Sequence, residues 1–214
     1  MSNAMQATIP TIAQYEALMA PPPESLTQTK LFDYQNHCYA QADLTTVEDL
    51  EHLRVHIPED GKPFLVVPSR PRIADKETLD ALIAKLAYRG KKGVNYLNSQ
   101  YLADEVAAPT GAYLLTEVDD GRAMLNTAPR DALVRLAEQH RSPFTWWEGY
   151  CLYLCFGFAI LGHHNVYCSG SRFMSRIVPD FFCLYDGQPR FDGYWVESAL
   201  PKWGSASCGR RIGV

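Results

Sequence analysis

The chain lacks the features that mark several large classes of protein. Its 214 residues carry 20 Lys and Arg against 24 Asp and Glu, which argues against a nucleic-acid binder that relies on a basic surface. No Cys-x-x-Cys occurs among its six cysteines, so neither a zinc-ribbon nor a thioredoxin-type motif is present. The most apolar run, residues 151–161, is too short to span a bilayer. Because 47% of the residues are hydrophobic, a disordered chain is also excluded.

A secretion signal is missing as well. The first four residues, Met-Ser-Asn-Ala, are typical of an expression scar, and neither a basic segment nor a long apolar segment follows Met5. We therefore expect a cytoplasmic protein with reduced thiols, no membrane partner and no nucleic-acid partner. Residues 1–24 should hold this scar and a flexible N-terminal segment, and residues 25–214 should form one domain.

Aromatic residues and cysteines are concentrated in the C-terminal third of the chain. Residues 143–214 hold 16 of the 25 aromatic residues, all four Trp and five of the six Cys. Aromatic side chains bury more area than most others, so this third is expected to supply the core. The alternative is an aromatic-lined ligand pocket cut into that core.

Hydrophobic periodicity predicts a mixture of helices and strands. The predicted helices cover residues 47–53, 76–89, 95–105, 129–139 and 146–160, the last of them opened by a capping box of Thr145 and Glu148. The predicted strands cover residues 64–67, 112–118, 166–168, 181–185 and 191–196. This order favours a single compact α+β domain, with helices packed on a mixed or antiparallel sheet. Two lobes meeting near residues 109–111 are the alternative arrangement.

Two loops rich in Gly, Ser and Arg, residues 162–172 and 203–211, form the candidate ligand site. If they meet, their hydroxyl and guanidinium groups would receive a small anionic or polar ligand in an aromatic-walled pocket. The alternative is that Gly and Ser make turns while Arg pairs with Asp180 or Glu197. The predicted ligand-binding residues are Arg172, Arg210, Arg211, Ser169, Ser171, Ser205, Ser207 and Trp203.

A second hypothesis is a Cys-dependent transferase or hydrolase. Cys208 precedes two arginines by two and three positions, and cationic neighbours favour the thiolate. His163 or His164 would be the base, oriented by Asp192 or Glu197. The alternative is that Cys208 is a small buried hydrophobe.

No metal and no cofactor is predicted. His163 and His164 are adjacent, so on regular structure they point in different directions and do not share a metal. One of them could join Cys168 or Cys208 at zinc, but the spacing does not require it. A third hypothesis is an interaction module that uses exposed aromatic residues of 143–214. The sequence does not indicate an oligomeric state.

From Tyr113 onward the chain resembles an uncharacterised bacterial family that is catalogued as a domain of unknown function. The motifs that carry the resemblance are residues 117–122, 141–149, 169–172, 178–179 and Trp203-Gly-Ser-Ala-Ser-Cys-Gly209. The last of these motifs is the most specific. The resemblance implies no catalytic residue and no ligand, and the N-terminal half of the chain indicates no family.

Overall fold

The computed structural model describes residues 27–88, 90–160, 163–183 and 187–213. The predicted N-terminal segment, residues 1–24, lies outside the described residues. Within them the chain forms the predicted compact α+β arrangement, with helices beside sheets that are either antiparallel or mixed.

Five α-helices and three short 3-10 helices are described. The α-helices are α1 Gln28–Gln41, α2 Val47–Leu50, α3 Lys76–Ile83, α4 Pro129–Glu138 and α5 Trp146–Ile160. The 3-10 helices are Glu51–His56, Ser99–Tyr101 and Arg122–Met124. Among the residues the structure describes, no helix is both long and apolar enough to cross a membrane.

The described strands are short, and fourteen of them are numbered in chain order. They are β1 Phe64–Val67, β2 Ala87–Tyr88, β3 Lys91–Lys92, β4 Val94–Asn95, β5 Leu102–Asp104, β6 Tyr113–Thr116, β7 Ser142–Pro143, β8 Asn165–Tyr167, β9 Ser171–Phe173, β10 Ile177–Cys183, β11 Pro189–Trp195, β12 Trp203–Ser205, β13 Ser207–Cys208 and β14 Arg210–Gly213.

Helix α5 is the predicted apolar helix, and its capping box is confirmed. The Thr145 backbone N–H donates to Glu148 Oε2 at 2.7 Å, and the Glu148 N–H donates to Thr145 Oγ1 at 3.3 Å. These two bonds satisfy donors that the first turn of a helix leaves free. The helix is buried in the core, where Tyr150 bonds the carbonyl of Leu82 and Tyr153 bonds that of Phe181.

The predicted helix over residues 95–105 is wrong. Asn95 Nδ2 donates to the Leu97 carbonyl at 2.8 Å, and Asn95 Oδ1 accepts from the Leu97 N–H at 2.9 Å. Such local side-chain bonds offer the backbone an alternative to helical pairing. Strands β4 and β5 and one 3-10 turn therefore replace the helix. The predicted helix over 76–89 likewise ends at Ile83, because residues 87–88 form β2 and pair with β3.

A three-stranded antiparallel sheet has the order β1-β6-β14. Helix α1 covers the free edge of β1 with two polar side chains. Gln35 accepts from the Val66 N–H at 2.8 Å, and Tyr39 donates its hydroxyl hydrogen to the Val66 carbonyl. Both side chains are fully buried, so α1 closes an edge that would otherwise be open to another strand.

A larger, mixed sheet carries the candidate site. Its main path is β12-β8-β10-β11-β4, and β9 joins β10 to β5. The pairs β12–β8 and β11–β4 are parallel, and the long β10–β11 hairpin is antiparallel. Its register places Asp180 opposite Asp192 on one side and opposite Tyr167 on the other.

Candidate functional site

The two Gly/Ser/Arg loops meet in the structure. Strand β12 lies parallel to β8, with Ser205 opposite Tyr167. The hydroxyl groups of Ser169 and Ser205 are hydrogen-bonded at 2.7 Å, and both side chains are buried. We call the four buried serines of the two loops, Ser169, Ser171, Ser205 and Ser207, the serine seam.

The hydroxyl groups of the serine seam are used inside the protein. Ser171 Oγ donates to Asp104 Oδ1 at 2.6 Å and accepts from the Trp146 N–H at 2.8 Å. Ser207 Oγ accepts from Arg141 Nε at 2.9 Å. These bonds join Ser171 to the start of α5 and to β5, and Ser207 to Arg141. The bond between Ser169 and Ser205 is the one that links the two loops directly.

Two of the three predicted arginines also have internal partners. Arg172 Nη1 donates to the carbonyl oxygens of Ser169 and Ser171 at 2.9 and 2.8 Å. Arg211 Nε and Nη2 donate to Glu148 Oε1 and Oε2 at 2.7 and 2.9 Å, a bidentate pair. Arg210 is exposed and lines a different, charged cavity. Arginine pairing is therefore the observed arrangement for two positions, although the partners are not Asp180 or Glu197.

The predicted catalytic groups occupy different surroundings. Cys208 is buried, and burial raises the pKa of its thiol to about 12 although Arg211 opposes the shift. The thiol is therefore protonated at neutral pH, which favours the alternative of a small buried hydrophobe over a thiolate nucleophile. His163 is exposed, while buried His164 places Nε2 2.9 Å from the Asp120 carbonyl oxygen. The described hydrogen bond of His164 thus leads to Asp120 rather than to Cys208.

Trp203 is the predicted ligand-binding residue that faces a cavity in the larger sheet. This cavity, which we call the Asp180 pocket, has a volume of about 340 Å³. Its lining residues come from β10, β11, β12 and the segment before β12, and they are Asp180, Phe182, Asp192, Gly193, Tyr194, Leu200 and Trp203. The indole ring of Trp203 lies 6.0 Å from the ring of Phe182, so two aromatic rings form adjoining walls.

Asp180 is the central polar group of this pocket. Its side chain is only 2% exposed, and Oδ2 accepts a hydrogen bond from Trp203 Nε1 at 3.0 Å. Oδ1 has no hydrogen-bond partner among the residues that the structure describes. Burial raises the pKa of Asp180 to about 8; the Trp203 hydrogen bond opposes this shift and the nearby charge of Asp192 adds to it. The carboxyl group is therefore mostly protonated at neutral pH.

Asp192 is the second carboxyl group of the pocket. It lies directly across from Asp180 in the β10–β11 hairpin, and such cross-strand pairs point to the same face of a sheet. Its Oδ1 accepts from the Gly193 N–H at 2.8 Å, while partial burial raises its pKa. The sequence assigned other roles to both residues, Asp180 as an arginine partner and Asp192 as an orienter of histidine. Their meeting depends on strand register.

Within residues 27–88, 90–160, 163–183 and 187–213, no group of three or more His, Cys, Asp and Glu side chains is arranged to hold a metal ion. The two carboxyl groups of the Asp180 pocket therefore stand beside aromatic and aliphatic walls, without a third ligating group of these types.

Comparison with known families supports one part of the expected resemblance, that the chain is an uncharacterised domain. The model of a family of unknown function, DUF5701, matches residues 26–214. The match reaches into the N-terminal half, for which the motifs indicated no family. Neither the curated proteins nor the solved structures contain a match.

Proposed function

We propose that this chain, which belongs to the family of unknown function DUF5701, binds a small polar molecule in the Asp180 pocket. The observation that carries the proposal is the buried oxygen Oδ1 of Asp180, which lacks a partner among the described residues. A buried polar atom left without a hydrogen bond destabilises a protein by about 1–3 kcal/mol. A ligand that donates a hydrogen bond to this oxygen removes that penalty.

The form of the pocket supports the same proposal. Ligand sites are concave, mostly apolar and supplied with a few polar groups that fix orientation. The Asp180 pocket combines two carboxyl groups with the side chains of Phe182, Leu200 and Trp203. Its volume of about 340 Å³ suits a small molecule rather than a dinucleotide or a peptide.

The serine seam supports ligand binding less well. Its hydroxyl groups, and the guanidinium groups of Arg172 and Arg211, already bond to other atoms of the protein. A ligand there would have to compete with these bonds. An anionic ligand held between the two loops stays a prediction, with Arg210 as its exposed cationic group.

Saturation-transfer NMR with three ring compounds of similar size tests the proposal. Benzylamine, benzyl alcohol and benzoate present a cation, a neutral donor and an anion on the same apolar body. We expect at least one of them to bind, and we expect Leu200→Trp to abolish that binding by filling the pocket.

Val134→Trp is the matched control, because Val134 is exposed on α4 and is not one of the lining residues of the pocket. It should bind the same probe as the unaltered chain does. Equal binding by the unaltered chain and by folded Leu200→Trp would contradict the proposal, since the bound probe would then lie elsewhere.

The two other hypotheses have weaker support. Catalysis by Cys208 requires a thiolate, and burial of this thiol favours the protonated form. An interaction module is favoured by one observation, the exposure of Tyr194 and Trp195 at the end of β11. Tyr194 also lines the Asp180 pocket, so a bound partner and a bound ligand would share this side chain.

A further inference from the structure

We infer that the molecule taken up by the Asp180 pocket is a small organic cation, with an amine or guanidinium group on an apolar body. This inference rests on the proposed function, because it names the class of ligand for the same pocket. It is carried by the charge and the hydrogen-bonding capacity of the groups that line the cavity.

The acidic residues of the cavity lining favour a ligand with a positive charge. Two of the seven lining residues are Asp180 and Asp192, and none of the seven is Lys, Arg or His. The groups that face Asp180 are Tyr167 from β8, Asp192 from β11 and Trp203 from β12. Arg190 of β11 lies on the same face of the sheet, and its guanidinium carbon is 6.0 Å from the ring centroid of Phe182. The described lining of the cavity holds no cationic side chain, and Arg190 is not among the groups that shift the pKa of Asp180. A ligand cation would supply the missing charge.

The hydrogen bonds of Asp180 leave room for a donor. Oδ2 holds the Trp203 indole N–H, so the unpartnered Oδ1 is the acceptor that a ligand N–H would reach. A bond between an ammonium group and a carboxylate is charge-assisted and roughly twice as strong as a neutral bond. The aromatic walls of Phe182 and Trp203 suit a cation with an apolar body.

A metal ion fits the pocket less well than an organic cation does. Calcium takes about 6–8 oxygen ligands, and magnesium about six including water. The lining offers the carboxyl groups of Asp180 and Asp192 beside apolar walls, and no third such ligand is grouped with them among the described residues. An organic cation needs only one or two acceptors, and its body also fills the apolar part of the cavity.

Binding of a cation should displace a proton from Asp180. The carboxyl group has a pKa of about 8, so it is mostly protonated at pH 7 in the free protein. A bound ammonium group stabilises the carboxylate, and the displaced proton goes to the buffer. The affinity for a cation should therefore increase as the pH rises from 6 to 8. A neutral ligand would show neither the proton release nor this dependence.

Isothermal titration of the full chain with benzylamine, benzyl alcohol and benzoate tests the inference. Titrations at pH 7 in two anionic buffers of different ionisation enthalpy report the proton release directly. We expect benzylamine to bind about tenfold more tightly than benzyl alcohol, a difference of one charge-assisted hydrogen bond. Benzoate should bind most weakly, because its carboxylate has no hydrogen to donate to Asp180 Oδ1 and would be repelled by each carboxyl group of the pocket that ionises.

Asp180→Asn should remove both the preference for benzylamine and the proton release, and Asp192→Asn should reduce the preference. Asp131→Asn, at an exposed carboxyl group on α4, is the matched control and should change neither. If Leu200→Trp abolishes binding but benzyl alcohol or benzoate binds as tightly as benzylamine, the cation class is overturned while the pocket is retained. If Leu200→Trp abolishes no binding, both the cation class and the proposed function are overturned.

Discussion

Strand β12 runs through two regions that differ in whether their polar groups are hydrogen-bonded within the protein. At the serine seam, Ser205 bonds to Ser169, and the neighbouring hydroxyls and arginines have partners in the protein. At the Asp180 pocket, two residues earlier on the same strand, Trp203 bonds to one oxygen of Asp180 and the other oxygen has no described partner. The serine seam, which is rich in donors, thus stabilises the fold. The Asp180 pocket, which has fewer polar groups, is the better candidate site. An unbonded buried atom is not enough by itself, since Asn36 and Asp120 also have one. At Asp180 the unbonded oxygen belongs to a residue that lines a cavity.

The largest expected effect on stability comes from Arg211, which lies in one of the two loops that hold the serine seam. Arg211→Ala leaves Glu148 fully buried with its bidentate partner removed, and such a loss destabilises a protein by about 3–5 kcal/mol. Arg210→Ala is the control, because Arg210 lies next to Arg211 in the chain and its side chain is exposed. A surface substitution of this kind changes the free energy of unfolding by less than about 0.5 kcal/mol. Urea unfolding measures both variants. Equal stability of the two variants would show that the buried pair of Arg211 and Glu148 does not stabilise the fold.

A smaller effect is expected at the serine pair. Ser169→Ala leaves the buried hydroxyl of Ser205 without its partner, which should destabilise the fold by about 1–3 kcal/mol. The double variant Ser169→Ala, Ser205→Ala removes both hydroxyls and should be less destabilised than the sum of the two single variants. A double-mutant cycle by urea unfolding gives this coupling. Strict additivity would contradict the bond between the two hydroxyls.

The effect that is smallest per step concerns the pocket, and it amounts to about 1.4 kcal/mol for each pH unit. In the unfolded chain Asp180 has a pKa of about 3.9, and in the folded protein the value is about 8. Between these values the folded state holds the additional proton, so stability falls as the pH rises. Asp180→Asn cannot ionise, and its free energy of unfolding should therefore decline less from pH 5 to pH 8.

Urea unfolding at several pH values compares Asp180→Asn with the unaltered chain. Asp131→Asn, at an exposed position, should keep the original slope and serves as the control. Parallel stability curves for Asp180→Asn and the unaltered chain would mean that Asp180 ionises in the folded protein as it does in water.

Local signals predicted much of the fold and little of the candidate site. The capping box of Thr145 and Glu148 predicted the start of α5, and short apolar runs predicted β1 and β6. The same kind of reasoning failed at Asn95, where a side chain bonds its own backbone two residues on. Among the predicted ligand-binding residues, Trp203 lines the proposed pocket.

The sequence by itself determined the α+β class, the apolar helix α5 and the concentration of aromatic residues in the last third, because caps and periodicity act between near neighbours. Only the tertiary structure decided that the donors of the serine seam were already used and that Oδ1 of Asp180 stayed unbonded beside a cavity. Asp180 and Asp192 meet through the register of β10 and β11, and burial by elements distant in the chain raises the pKa of Asp180. Both effects depend on contacts between residues far apart in sequence, so no local pattern records them.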